Sequence, residues 1–235
     1  MAAPHDLNAD VAVVVPAFNE SQRVAAVVAG LRPHFGSVIV VDDGSTDDTA
    51  DLARAAGARV VRHPGNLGQG AALQTGFAFA LTDPAMRYVV TFDSDGQHRV
   101  EDALSLVATA RETGVDVVLG SRFLEPGTTA VPRARRAVLR AGVAFTRATT
   151  RLAVTDTHNG LRVLNRRAVT AIDLTLPDMA HASQLLGLVA RRGLTWVEAP
   201  VVIDYADQTR RRGQANVNAL NIVFDLALER LRSAG

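Results

Sequence analysis

The sequence contains neither cysteine nor lysine in its 235 residues, and aromatic residues make up only 5% of it. The lack of cysteine excludes disulfide bonds, a thiolate nucleophile and cysteine-ligated zinc. The lack of lysine excludes a Schiff-base lysine and the lysine of a P-loop. The unbroken apolar runs are short, as at 11–15, whereas a membrane-spanning helix needs about twenty residues. With no signal-peptide pattern in the short, polar N-terminus, we expect a cytoplasmic globular protein.

Charge is distributed unevenly along a chain whose formal net charge is only +1. Residues 1–120 contain 15 acidic and 8 basic residues, whereas residues 121–167 contain 2 and 10. This division indicates a site that uses both signs, for example a metal ion and phosphates. A helix is predicted at 133–151, and its spacing gives it one arginine face. The face consists of Arg133, Arg136, Arg140, Arg147 and Arg151. It is either solvated or in contact with anionic lipid head groups.

Strand and helix patterns alternate through the first half of the chain. Strands are predicted at 11–15, 38–41, 59–62, 88–92 and 115–120. Helices are predicted at 20–31, 46–56, 71–81 and 101–113. Such alternation predicts an α/β fold with a mostly parallel central sheet and helices on both faces. Ligands bind such sheets beyond the carboxyl ends of the strands.

The second half is less regular. A strand is predicted at 161–164, a helix at 178–191, two strands at 195–198 and 201–205 separated by Pro200, and a final helix at 215–232. The sequence has no internal repeat, low-complexity tract or linker. We therefore predict one domain that spans residues 1–235.

The motif DSDGQH at 93–98 directly follows a predicted strand. Asp93 and Asp95 can converge on one hard cation, Mg²⁺ or Mn²⁺, with diphosphate oxygens completing the shell. Gln97 and His98 are candidate additional ligands. The alternative is an acidic surface turn.

Two further motifs follow predicted strands. In VDDGSTD at 41–47 an apolar strand ends in two acids, and Asp43 can accept hydrogen bonds from a nucleobase or ribose. Ser45 and Asp47 are also explained as a helix N-cap. The glycine-rich loop NLGQGAA at 66–72 follows the third strand, so it is not a dinucleotide fingerprint, which belongs after the first. Its glycines are expected to let the chain pass close to a ligand or strand.

These three motifs, together with VVPAFNE at 14–20, GSR at 120–122 and DTHNGLR at 156–162, resemble the family-2 glycosyltransferases in order and spacing. The branch they resemble is that of the dolichol-phosphate mannose and polyprenyl-phosphate sugar synthases. The resemblance covers residues 10–213. It implies a GT-A type fold, with a nucleotide-binding half at 10–120 and an acceptor half at 121–235. It also implies an inverting, metal-dependent transfer of a sugar from a UDP-, GDP- or dTDP-linked donor.

The resemblance also implies the site residues. The nucleotide would contact Pro16, Ala17, Phe18, Glu20, Asp43, Gly70, Asp93 and Ser94. The metal would be held by Asp93, Asp95 and Gln97. Phosphates and acceptor would meet Arg122, Arg133, Arg135 or Arg136, Arg210 and Arg212. His158 is a candidate contact for the sugar or an acceptor phosphate, and His63 is expected at the surface.

Two positions depart from the family pattern. Gln69 occupies a position where relatives commonly have lysine. Gln184 occupies one where they often have glutamate, which serves as general base for hydroxyl acceptors. A phosphate acceptor is already ionised and needs no base. Gln184 therefore favours a phosphate acceptor, transfers the base role to Asp178 or His181, or signals weak activity.

The favoured acceptor is a polyprenyl phosphate, which would bring a cytoplasmic enzyme to the inner membrane face. The same chemistry on a soluble hydroxyl or amine is the alternative. A nucleotidyltransferase is disfavoured because its glycine-rich opening and lysine are missing. A non-catalytic nucleotide-binding module is disfavoured by Asp93, Asp95 and Arg122. No nucleic-acid partner is expected.

Overall fold

The computed structural model describes residues 8–124, 143–144, 146–147, 150–176 and 180–203. The strands are β1 (Val11–Ala17), β2 (Ser37–Asp42), β3 (Arg59–Arg62), β4 (Tyr88–Thr91), β5 (Val117–Ser121), β6 (Arg162–Asn165) and β7 (Trp196–Pro200). The helices are α1 (Val24–Leu31), α2 (Thr49–Ala55), α3 (Gln69–Leu81), α4 (Val100–Thr113), α5 (Arg166–Ala171) and α6 (Ala180–Arg191).

The seven described strands form one sheet in the order β3-β2-β1-β4-β6-β5-β7. Strand β6 runs antiparallel to β4 and β5, and the other pairs are parallel. This confirms the predicted mixed, mostly parallel sheet. Because β1, β2 and β4 are parallel neighbours, their carboxyl ends lie at one edge of the sheet. The sequence motifs at 14–20, 41–47 and 93–98 lie at this edge, where these three strands end.

Helices cover both faces of the sheet, which explains why its central strands are apolar without alternation. All seven residues of β1 are buried. On one face, Val13 belongs to a cluster with Leu106 of α4. On the other, Val14 belongs to a cluster with Phe77 of α3 and Leu185 of α6. The sheet is therefore held rigidly between two layers and fixes the positions of the loops at its edge.

Two helices begin later than the sequence predicts, α1 at Val24 and α2 at Thr49. The polar residues before them bond to one another between the ends of β1 and β2. The backbone N–H of Asn19 donates to Ser45 Oγ at 2.9 Å, and that of Glu20 donates to Thr49 Oγ1 at 2.8 Å. The apparent helix-start residues therefore join two loops at the edge of the sheet.

The segment around Pro200 also differs from the prediction. Strand β7 continues to Pro200, because β7 ends on the sheet beside Ser121 of β5. The segment predicted as a strand at 201–205 contributes only a bridge between Ile203 and His98 within its described part. Helix α5 is not predicted from the sequence; Asn165, the last residue of β6, caps it by accepting from Ala168 N at 2.9 Å.

The predicted helix at 215–232 and most of that at 133–151 lie outside the described residues. No helix in the described part of the chain is long and apolar enough to cross a membrane.

Candidate active site

A cavity of ≈ 440 Å³ lies at the edge of the sheet where β1, β2 and β4 end. It is lined by the loops that follow these strands, by the start of α3 and by the loop that precedes β6. The cavity brings together most of the described residues predicted for donor, metal and phosphates. These are Pro16, Ala17, Phe18, Glu20, Asp43, Asp93, Ser94, Asp95, Gln97, Arg122 and His158.

Asp93 is held in place by two side chains that flank it. Its Oδ1 accepts from Gln69 Nε2 at 3.0 Å, and its Oδ2 bonds to His98 Nε2 at 3.0 Å. His98 is buried and packs edge-on against Phe92, with ring centroids 5.5 Å apart. His98, which the sequence left open as a metal ligand, therefore orients Asp93. Gln69 does so from the start of α3.

The charges around the two aspartates set their protonation. Burial would raise the pKa of Asp93, but the hydrogen bond from His98 and nearby positive charges outweigh it and hold that pKa below its usual range. Burial raises the pKa of Asp95, and the charge of Asp93 raises it further. Burial lowers the pKa of Arg162 to about 10, so Arg162 stays cationic at neutral pH beside Asp93. A cation between the aspartates would relieve their repulsion.

Gly160 allows the loop before β6 to pass against Asp93. A Cβ atom at this position would lie 2.2 Å from Asp93 Oδ2 and 2.7 Å from Asp93 Oδ1. Any side chain at 160 would therefore displace the carboxylate. The glycine of the 156–162 motif is needed for close approach rather than for an unusual backbone angle.

Arg122 lies in a buried bidentate ion pair. Its Nε and Nη2 donate to Asp156 Oδ2 and Oδ1 at 2.6 and 2.7 Å. Burial would raise the pKa of Asp156, but the hydrogen bonds and charge of Arg122 hold it below the ordinary value. From β7, Glu198 accepts from the backbone N–H groups of Thr155 and Asp156 at 2.8 and 3.2 Å. Arg122 lines the cavity, and its guanidinium is fixed by Asp156, whose loop is held in turn by Glu198.

His158 follows this pair in the same loop. Its Nδ1 bonds to Thr157 Oγ1 at 2.7 Å, whereas its Nε2 is buried without a partner in the described part of the chain. Burial lowers the pKa of His158, although the charge of Asp156 opposes that effect. His158 is one of the residues that line the cavity, and its lowered pKa keeps the ring neutral near pH 7.

His63 is buried rather than at the surface, so the sequence expectation for it was wrong. Only 8% of His63 is exposed. Its Nδ1 bonds to Asp43 Oδ1 at 2.7 Å, and its Nε2 to Thr75 Oγ1 at 2.9 Å. The reason is that β3 ends beside the end of β2, where Arg62 pairs with Asp42. The loop that follows β3, which begins with His63, therefore lies against Asp43.

The start of α6 packs against α3 behind the cavity. Gly70 does not line the cavity; a Cβ there would lie 2.2 Å from the carbonyl oxygen of Leu176 and 2.9 Å from His181 Cβ. Gln184 Oε1 accepts from the backbone N–H groups of Thr175 and Leu176, both at 3.0 Å. Gln184 therefore fixes the segment before α6, and Gly70 lets that segment approach α3.

Several predicted residues cannot be compared with the cavity. Asp178, Arg133, Arg135, Arg136, Arg210 and Arg212 lie outside the described residues. Their roles stay predictions. His181 is described and buried on α6, and its charge is among those that lower the pKa of Asp93.

Comparison with known proteins decides the class of this site. The model of the glycosyl transferase family 2 matches residues 12–172, which carry the motifs after β1, β2 and β4 as well as the loop before β6. The chain belongs to glycosyl transferase family 2. This confirms the resemblance and the predicted glycosyltransferase class.

Relatives of this family-2 chain match most of its length. An uncharacterised protein of Methanocaldococcus jannaschii is 32% identical over 97% of this chain and 95% of its own. The dolichyl-phosphate hexose transferase of Haloferax volcanii is 32% identical, over 82% of each chain. The polyprenol monophosphomannose synthase of Mycolicibacterium smegmatis is 29% identical over 89% of this chain and 82% of its own.

A solved structure of glucosyl-3-phosphoglycerate synthase from Mycobacterium tuberculosis matches with a TM-score of 0.68. The match covers 91% of this chain and 77% of that chain at 24% identity. This identity shows the fold alone, and it agrees with the GT-A type fold expected of a family-2 glycosyltransferase.

Proposed function

We propose that this family-2 glycosyltransferase moves a hexose from a nucleotide sugar to a polyprenyl phosphate, with inversion at the anomeric carbon. The observation that carries the proposal is that Asp43, Asp95 and Arg122 line one cavity. It offers a hydrogen-bond acceptor for a base, carboxylates for a cation and a cation for phosphate. The mycobacterial glucosyl-3-phosphoglycerate synthase has been crystallised with UDP and with Mn²⁺ or Mg²⁺, which supports a donor of this kind.

A divalent cation, Mg²⁺ or Mn²⁺, is proposed at Asp93 and Asp95, with Gln97 as a third ligand. Carboxylate and amide oxygens are the ligands these ions prefer. In the described residues, no group of three or more His, Cys, Asp or Glu could hold an ion. An ion held by these residues would therefore need donor phosphates and water to complete its shell. When bound, the ion would neutralise charge on the departing diphosphate.

The relatives support a phosphate as acceptor. One is named a dolichyl-phosphate hexose transferase and another a polyprenol monophosphomannose synthase, at 32 and 29% identity. Gln184 is turned toward Thr175 and Leu176, so its identity does not bear on the acceptor. In the transfer, an acceptor phosphate oxygen forms a bond to the anomeric carbon while the bond from that carbon to the diphosphate oxygen breaks. An ionised phosphate releases no proton, so none has to be accepted.

The chain's own residues would position the reacting groups. Asp43 would hold the base, and the fixed guanidinium of Arg122 would stabilise negative charge that grows on the leaving group. His158 would contact the sugar or the acceptor phosphate. A polyprenyl acceptor further implies peripheral association with a membrane surface, which vesicle sedimentation with and without anionic lipid would detect.

The proposal is tested by following labelled sugar from UDP-, GDP- and dTDP-linked donors into undecaprenyl phosphate in detergent micelles with Mn²⁺. We expect organic-phase label, and we expect Asp95→Asn to lower its rate about a hundredfold or more. The matched control is Asp51→Asn, because Asp51 is an exposed residue on α2 that pairs with Arg54. Transfer only to hydroxyl acceptors would contradict the lipid acceptor, and equal activity of both variants would contradict the metal site.

A further inference from the structure

Asp43, the proposed base-binding carboxylate, is already bound by three donors of its own chain. Its Oδ1 accepts from His63 Nδ1 at 2.7 Å and from the Leu67 N–H at 2.9 Å. Its Oδ2 accepts from the Gly68 N–H at 2.8 Å. An ionised carboxylate offers about four acceptor positions, two on each oxygen. Counting partners in the described part of the chain, one position remains for a ligand, and it is on Oδ2.

His63 is the side chain that occupies Oδ1. A carboxylate only accepts hydrogen bonds, so the network assigns the proton to His63 Nδ1. The ring is fixed from its other side by Thr75 Oγ1 of α3, 2.9 Å from Nε2. Since His63 and Asp43 are both buried, neither can turn to free Oδ1 without breaking this chain of contacts. With the described partners in place, Oδ2 is therefore the one oxygen of this carboxylate that can still accept a hydrogen bond from a ligand in the cavity.

We propose that His63 makes the donor site selective for a base with a single ring N–H donor, uracil or thymine, over guanine. This inference rests on the proposed nucleotide-sugar site and names the base it takes. Uracil and thymine present one donor, N3–H, between two carbonyl groups. Guanine presents N1–H beside an exocyclic amino group, and the pair needs both oxygens of a carboxylate. Here one of the two guanine donors would be left without an acceptor.

The other bases are disfavoured for a different reason. Cytosine and adenine place a ring nitrogen lone pair next to their amino group, and that lone pair would face the negative charge of Asp43. A binding site that leaves a buried polar group unpaired discriminates strongly against the ligand concerned. We expect UDP to bind at least about tenfold more tightly than GDP for this reason.

The test is a set of dissociation constants measured by calorimetry with Mn²⁺ for UDP, N3-methyl-UDP, GDP and IDP. IDP is guanosine diphosphate without the exocyclic amino group, so it matches GDP in size but has one donor. We expect UDP to bind most tightly, N3-methyl-UDP to lose most of that affinity, and IDP to bind at least as tightly as GDP. GDP binding more tightly than IDP would overturn the inference, because the amino group of guanine would then add a hydrogen bond that requires both oxygens of Asp43.

Two variants test the role of His63 as a positioning residue. His63→Leu removes the donor and frees Oδ1, so the UDP-to-GDP affinity ratio should fall toward one. His63→Asn keeps an N–H at the corresponding place and should preserve most of the ratio. A purely structural role would weaken both nucleotides alike and leave the ratio unchanged, which would refute the assignment. Thermal unfolding establishes that each variant is folded.

The outcomes separate this inference from the proposed function. If wild type binds none of the four nucleotides, the donor site itself fails, and the inference fails with it. If UDP and N3-methyl-UDP bind equally, the donor site stands and Asp43 does not contact the base. If GDP exceeds both UDP and IDP, the donor site stands and guanine is the base.

Discussion

The buried pair of Arg122 and Asp156 allows one prediction to be worked out in magnitude. Asp156→Asn keeps the shape of the side chain but removes its charge and one of its two acceptor oxygens. In the native structure the side chains of Arg122 and Asp156 are 5% and 0% exposed. The guanidinium would therefore remain buried without its counter-charge. Removing one member of such a pair costs about 3–5 kcal/mol, out of a total stability of about 5–15 kcal/mol for a typical domain.

The assay is thermal or denaturant unfolding of wild type and variant. For a domain of this size a loss of about 3–5 kcal/mol lowers Tm by about 6–20 °C. The matched control is Asp51→Asn, since Asp51 and Arg54 form a pair with side chains that are 81% and 58% exposed. Exposed pairs contribute at most about 1 kcal/mol. Equal Tm values for the two variants would refute the reasoning that burial makes this pair important.

The same pair predicts a pH dependence with a definite sign. Arg122 holds the folded-state pKa of Asp156 below its ordinary value. The stabilisation from Asp156 is therefore fully present above its unfolded pKa of about 3.9 and is lost as the pH falls through the lower folded value. The stability difference between wild type and Asp156→Asn should be constant near neutral pH and shrink in acid. A difference that grew below pH 4 would contradict this sign.

Further predictions concern residues next to Asp93 and behind the cavity. In Gly160→Ala the added Cβ would overlap Asp93 Oδ2, so turnover with Mn²⁺ should fall about a hundredfold. The far-ultraviolet circular dichroism should be retained, which shows that the variant is folded. Unchanged turnover would show that Asp93 tolerates displacement. In Gly70→Ala the Cβ would meet the Leu176 carbonyl, and we expect overpacking to lower the free energy of unfolding by about 1–3 kcal/mol, which is measured as a lower Tm. Gln184→Glu should not create activity toward hydroxyl acceptors, because residue 184 faces Thr175; such activity in a glycoside-product assay would place residue 184 at the acceptor.

Local sequence patterns were sufficient to predict the sheet and the acidic residues at its edge. Apolar strands without alternation, such as β1, are explained by a sheet covered on both faces. The acids Asp43, Asp93 and Asp95 could be placed in one site because parallel strands end at the same edge. Element boundaries were less accurate, because polar residues that are typical helix starts bond instead to a neighbouring loop, as Glu20 does to Thr49.

The partners of the site residues could not be predicted in the same way. Nothing in the sequence next to Arg122 indicates Asp156 or Glu198, since the pairing of β5 with β6 and β7 brings these distant segments together. His63 was expected at the surface, and a histidine after a short strand carries no local signal of burial. Arg162 was not singled out, and only the antiparallel insertion of β6 between β4 and β5 brings it beside Asp93.

The sequence by itself determined the family, the α/β architecture and the identity of the acidic motifs, because each is encoded within a few consecutive residues and in their order. Tertiary structure alone decided how those groups are oriented and charged. Hydrogen bonds from His98 and Gln69 fix Asp93, and His63 occupies one oxygen of Asp43. These contacts join residues distant in sequence, and their geometry follows from strand register and helix packing, which no local pattern specifies.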